Sequence, residues 1–184
     1  MKALKIALLA IAGLIVAFVL MGFLLPSRWK VERSTVINAP AKAVYPLVSN
    51  FKAGWPQWSG FDKADPDIQY SYSGPDAGVG ASRSWTSKKM GNGFQKIVKA
   101  DPAKGVEFEL GMEQSKFIMN GRLAFEPEGK STKVTWTDEG NVGNNPFHRY
   151  LASLMDKMMG PVFEKSLTTL KEKAEKKSAG QSKK

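Results

Sequence analysis

Residues 146–177 read PFHRYLASLMDKMMGPVFEKSLTTLKEKAEKK. Leu151, Leu154, Met155, Met158, Val162, Phe163, Leu167 and Leu170 recur at three- and four-residue steps, the spacing of one apolar helical face. Asn145-Pro146 supplies a cap and a first-turn proline whose missing N–H costs nothing at that position. Leu154, Met155, Met158 and Val162 are expected to face inward, and Lys157 and Lys165 outward. Gly160-Pro161 lies inside the pattern. Pro161 has no N–H for the carbonyl of Lys157, and a mid-helix proline costs about 3 kcal/mol, so a kink or restart is expected there.

Upstream the period changes. Val31 to Ala39 is rich in β-branched residues and is expected to be a first strand. Asn38-Ala39-Pro40 starts a short helix with Val44, Leu47, Val48 and Phe51 on one face, and Trp55-Pro56-Gln57-Trp58 forms a second short helix or turn. From Ile68 apolar and polar residues alternate. Ile68, Tyr70 and Tyr72 begin the series, and a strand carrying Trp85 follows. Gly91-Asn92-Gly93 is a tight hairpin turn, because glycine and asparagine tolerate positive φ. Val106, Phe108, Leu110 and Met112 then alternate with Glu107, Glu109 and Glu113, the pattern of a strand buried on one face. Phe117, Met119, Leu123 and Phe125 continue it, and Val134 and Trp136 lie on the last strand. Hairpin connections throughout imply an antiparallel sheet, and the long helix is the element available to cover it.

The formal charge of +10 sits mainly at the ends. Lys2, Lys5, Arg28 and Lys30 are unopposed in residues 1–30, and residues 171–184 hold six lysines against Glu172 and Glu175. Residues 31–170 hold 17 basic and 15 acidic side chains, too balanced for a nucleic-acid-binding face. Basic ends beside an apolar segment suit an anionic membrane surface. Residues 6–25, IALLAIAGLIVAFVLMGFLL, are uncharged and as a helix span roughly 30 Å, the thickness of a bilayer core. The sequence after them, LLPSRWK, has no Ala-x-Ala site, which favours an uncleaved single-pass anchor over a signal peptide. Trp29 suits an interfacial position. Charge flanks the segment almost equally, so it does not set the orientation. The expected division is an anchor over 1–30, a globular domain over 31–175 and a disordered basic tail over 176–184.

Chemistry-bearing residues are sparse. There is no Cys and a single His, which argues against a zinc site and a thiolate nucleophile, and no cofactor motif stands out. His148 falls in the first turn of the long helix beside Arg149, where an ordinary surface or capping role is expected. The glutamates of residues 107–113 share the solvated strand face. Asp138 differs: by alternation it shares a face with Val134 and Trp136, and it is the one weak catalytic candidate. Arg122 lies opposite Met119 and Leu123 and is expected outside. Gly78-Val79-Gly80 has no helix pattern behind it and is not a phosphate loop.

Several of these residues carry a resemblance. Val36-Ile37-Asn38-Ala39-Pro40 with Val44, Trp55-Pro56-Gln57-Trp58, Gly78-Val79-Gly80 with Trp85, Asn145-Pro146, Arg149-Tyr150 and the run from Met155 to Gly160 into Phe163–Leu167 resemble the START-like, or SRPBCC, superfamily, in its bacterial polyketide cyclase/dehydrase and lipid-transport group. The resemblance covers about residues 31–175 and implies an α+β helix-grip: a curved antiparallel sheet of about seven strands around the long C-terminal helix, with a hydrophobic cavity between them. The residues expected to line that cavity are Trp55, Trp58, Trp85, Phe108, Leu110, Met112, Phe117, Met119, Trp136, Leu154, Met155 and Met158. The resemblance also implies that the loop at Gly78–Gly80 stands at the cavity entrance. Three functions fit: a membrane-anchored binding protein for a lipid or other hydrophobic small molecule, a cyclase-like or hydrolase-like enzyme, and an interaction module at a membrane. The bacterial inner membrane is the expected location.

Overall fold

The computed structural model describes residues 2–63, 65–112 and 118–181. An apolar helix, α1 (Lys2–Leu24), leads into strand β1 (Arg28–Ile37) and helix α2 (Ala41–Val48). Two short 3₁₀ turns, Trp55–Gln57 and Phe61–Lys63, follow. Strands β2 (Gln69–Ser73), β3 (Ser82–Thr86), β4 (Gly93–Asp101), β5 (Gly105–Met112), β6 (Ile118–Glu128) and β7 (Ser131–Asn141) precede the long helix α3 (Pro146–Gln181). The seven strands form one antiparallel sheet in the order β1-β7-β6-β5-β4-β3-β2. This is the expected α+β helix-grip. β1 starts at Arg28, earlier than its apolar residues suggest, because Arg28 and Trp29 pair with Asn141 and Gly140 of β7.

A repeated device curves the sheet. Phe108 faces Gly121, Trp85 faces Gly93, Phe94 faces Gly111 and Trp29 faces Gly140 across adjacent strands. In each pair the aromatic ring occupies the space a side chain on the glycine would need. Strand glycines permit tight bends, and the ring laid over each one restores the packing that glycine lacks. A register irregularity between Ile97 and Lys99 bends β4 further.

The Trp55-Pro56-Gln57-Trp58 motif has a clear role. The last carbonyls of a helix have no partner within it. Trp55 Nε1 donates to the carbonyl of Val48 at 2.7 Å and Trp58 Nε1 to that of Leu47 at 2.9 Å, closing the end of α2. Both indoles are thereby fixed in the core, where they form edge-on contacts with Trp136. The Gly78–Gly80 loop packs on α2, with the Gly78 N–H donating to the Ser49 carbonyl, and takes no part in the cavity wall.

α3 is one continuous helix through Pro161, with no restart. Arg33 of β1 spans this point. Its Nε donates to Glu164 at 2.7 Å and its NH1 to Asp156 at 2.7 Å, so one guanidinium holds the turns before and after the proline. Gly160 leaves the room that the guanidinium occupies. The Arg33 bond holds the Asp156 carboxyl below its usual pKa. Residues 176–181, expected as tail, continue the helix. Ala174 is buried against the core, and Glu175 accepts from the Asn38 N–H at 2.8 Å, so tertiary contacts extend what composition alone leaves unstructured. The two halves of α3 differ. Phe163, Leu167, Leu170 and Ala174 are fully buried, whereas in the first half only Ala152 and Gly160 are.

Candidate functional site

The space left by the first half of α3 is a cavity of about 780 Å³ between that helix, the 3₁₀ turns and the concave face of the sheet. Trp55, Trp85, Phe108, Leu110, Met112, Met119, Trp136, Met155 and Met158 all line it. Two expected residues do not. Trp58 is held behind Trp55 and Trp136 by its bond to Leu47, and is 1% exposed. Leu154 is 49% exposed and turned away. It follows the buried Ala152 by two residues, roughly 200° around the helix, which carries it past the cavity edge. Phe117 lies outside the described residues. Met90, Leu151 and Met159 extend the same adaptable apolar wall. His148, exposed at the start of α3 as expected of it, stands at the edge of the same wall.

The cavity also contains a buried polar group. Arg83 NH1 donates to both carboxylate oxygens of Asp62, at 2.9 and 3.0 Å, and both side chains are about 95% buried. Arg83 Nε donates to Gln95 Oε1 at 3.0 Å, and the Tyr70 hydroxyl donates to Asp62 at 3.0 Å. The guanidinium lies within 5.2 Å of the Phe51, Trp55 and Tyr70 ring centres. Its charge is thus balanced by Asp62 and spread over aromatic faces. Burial, reinforced by the charge of Asp62, holds the Tyr70 phenol protonated far above its usual range. Two of these residues carried a usable signal. Arg83 and Trp85 are two apart on one strand, as are Gln95 and Ile97, so an inward Trp85 and Ile97 place Arg83 and Gln95 inward too. Asp62 sits on a 3₁₀ turn and gave none.

Residues 28–175 match the polyketide cyclase / dehydrase and lipid transport family. The chain belongs to that family. Solved structures with the same fold include a protein from Chromobacterium violaceum, with 13% identity, TM-score 0.58, covering 79% of this chain and 96% of its own. A point mutant of norcoclaurine synthase from Thalictrum has 14% identity and TM-score 0.56, covering 84% of this chain and 96% of its own. The Zhui aromatase/cyclase from Streptomyces has 13% identity and TM-score 0.53, covering 80% of this chain and 94% of its own. At these identities the likeness is one of fold. A sequence search of curated proteins finds no match.

Within this cyclase/dehydrase-family fold the titratable group to follow is Asp138. It lines the cavity, is 7% exposed, and accepts a hydrogen bond from Trp136 Nε1 at 2.9 Å. Burial pushes its pKa up to about 7, against the opposing pull of the Trp136 bond. A carboxyl poised there can give or take a proton near neutral pH, or donate a hydrogen bond when protonated. Among the described residues no cluster of three or more His, Asp or Glu is placed to hold a metal ion.

The raised value has a consequence for stability. Below about pH 4 Asp138 is protonated folded or unfolded and contributes nothing to the pH dependence. Between about pH 4 and 7 the unfolded chain releases the proton that the fold retains, so stability falls as pH rises, and it levels above pH 7. Asp138→Asn is expected to remove this slope. Urea unfolding of the full chain in detergent at pH 4.5 and 7.5 would check it, and an unchanged slope would assign the pH dependence elsewhere.

Proposed function

We propose that this protein is a membrane-anchored carrier or receptor for a hydrophobic small molecule or lipid, held between the sheet and the first half of α3. The observation that carries the reading is the cavity itself. About 780 Å³ is within the usual size of small-molecule sites. Its wall is aromatic, aliphatic and methionine-rich, and the buried cation of Arg83 is already neutralised by Asp62. Such a wall favours an apolar body and offers Asp138, and the Tyr70 and Gln95 side chains, for one oriented polar end. The anchor in this reading is α1, 23 residues long and about 35 Å as a helix, enough to cross a bilayer.

Native mass spectrometry of the full chain released from detergent is expected to show a co-purified apolar adduct. Met155→Trp, which fills the cavity from α3, is expected to lose that adduct while keeping the fold by circular dichroism. A parent protein that carries no adduct and takes up no diphenylhexatriene would overturn the reading.

Asp138 favours a second reading, an enzyme acting on an apolar substrate. Its carboxyl lies in the cavity wall with a pKa near neutrality, a combination that suits proton transfer. Loss of a measured turnover in Asp138→Asn, with adduct binding retained, would support this reading over simple binding.

A further inference from the structure

We infer that the first half of α3 is embedded in the membrane interface beside α1, so that the cavity takes up its ligand from the bilayer and not from water. This rests on α1 being a membrane anchor.

Phe147, Leu151, Leu154 and Met158 are 59%, 48%, 49% and 55% exposed. Their steps of four, three and four place them in one stripe along the helix. A continuous apolar stripe open to solvent is characteristic of a surface that meets a partner or a membrane. In the second half of α3 the exposed side chains include Glu164, Lys165, Glu172 and Lys173, so the apolar character is confined to the first half.

The stripe adjoins α1. Gly22 packs against Pro146, and the Phe18 ring stacks on Tyr150 with centres 4.2 Å apart. The Tyr150 hydroxyl donates to the Phe18 carbonyl at 2.7 Å. Arg149 NH1 donates to the carbonyls of Phe23, at 2.6 Å, and Leu25, at 3.2 Å. Arg149 therefore satisfies carbonyls at the end of α1 without water, as a water-poor setting demands. Phe18 lies six residues before Leu24, about 9 Å along the helix, so the first turns of α3 stand level with the last turns of α1. Helices lying in a membrane interface bury their apolar face about 5–10 Å deep. An α1 that spans the bilayer carries the stripe to that depth.

The stripe is also a rim of the cavity. Leu151 and Met158 belong both to the stripe and to the cavity wall, and Leu154 lies between them on the outside. An apolar ligand crossing between Leu151 and Met158 passes over apolar side chains. Lys171 is about 36 Å along the helix from Phe147, so the contact with α1 is made by the apolar end of α3 and not by its basic end.

The chain has no cysteine, so single cysteines report single sites. Phe147→Cys and Leu154→Cys, labelled with the nitrobenzoxadiazole fluorophore in the full chain, are reconstituted into phosphatidylcholine–phosphatidylglycerol vesicles. Val79→Cys, at an exposed position on the β2–β3 connection, is the water reference, and Ile15→Cys reports α1. The labels at 147 and 154 are expected to shift to the blue, to be quenched by nitroxide lipids, and to lose iodide quenching. The label at 79 is expected to stay iodide-accessible. If 147 and 154 behave like 79 while 15 is lipid-quenched, the anchor stands and the inference falls. Shielding of 147 and 154 from both quenchers means that protein covers the stripe, which also overturns it. A label at 15 untouched by lipid quencher removes the anchor reading and this inference together. Leu154→Glu, outside the cavity wall, is expected to load diphenylhexatriene from vesicles more slowly than the parent; equal rates would overturn uptake across this rim.

Discussion

Asp62→Ala is expected to destabilise the fold by about 3–5 kcal/mol, the usual cost of leaving a buried charge without its partner. Arg83 and Asp62 are each about 95% buried on their side chains, and Asp62 neutralises the guanidinium through two oxygens at 2.9 and 3.0 Å. Gln95 and the rings of Phe51, Trp55 and Tyr70 remain in the variant, but none of them carries the compensating charge. The Tyr70 hydroxyl loses its acceptor as well. The double variant Asp62→Ala/Arg83→Met removes the stranded charge and is expected to recover most of the loss, because replacing a buried ion pair by apolar groups is often close to neutral. Denaturant unfolding of the parent, the two single variants Asp62→Ala and Arg83→Met, and the double variant in detergent gives the cycle directly. A single-variant loss under about 1 kcal/mol, the scale of an exposed ion pair, would show that this pair is open to water.

Trp136→Ala is expected to cost a similar 3–5 kcal/mol, by cavity creation. Trp136 is 1% exposed, and its ring stacks on Phe163 with centres 4.0 Å apart and planes 10° apart. It also meets Trp55, Trp58 and Phe61 edge-on. Phe163 is where α3 closes onto the core, so the truncation loosens the helix from the sheet as well as leaving a void. The same variant has a second readout. Trp136 Nε1 donates to Asp138, and that bond lowers the carboxyl's pKa. Its loss raises the pKa further, so the fall of stability with pH is expected to continue above pH 7 in the variant. Trp136→Phe keeps most of the packing and loses only the bond; it is expected to show the pH change with a smaller stability loss. An Ala variant with the parent's pH profile would show that the Trp136 bond does not tune Asp138.

Local signals account for much of this molecule. The three- and four-residue steps of α3, the period-two strands and the Gly91-Asn92-Gly93 turn are dictated by neighbours in the chain, and the structure repeats them: Gly91 has φ +76° and Asn145 Oδ1 caps α3 through the Phe147 N–H. Alternation also placed Asp138 on the inner face with Trp136. It contained Arg83 and Gln95 by the same rule, but a charged or amide side chain inside a sheet is credible only once its partner is known. That partner, Asp62, lies 21 residues before Arg83 on a 3₁₀ turn with no periodicity. Leu154 failed for a different reason. A stripe of apolar residues wider than the core face includes some that point past it, and α3 has such a stripe because part of it meets no protein.

The order of elements, the apolar N-terminal helix, the inward faces of the strands and the family resemblance are legible in the residues alone, because each depends on spacing within a short stretch. The unbroken run of α3 past Pro161 depends instead on a long-range contact, Arg33 reaching across from β1 to hold both turns. Long-range packing also sets the first half of α3 off the sheet while the second half packs, and so makes the cavity. The volume between two surfaces depends on how far apart long-range contacts such as Phe163 on Trp136 hold them, and no local pattern encodes that distance.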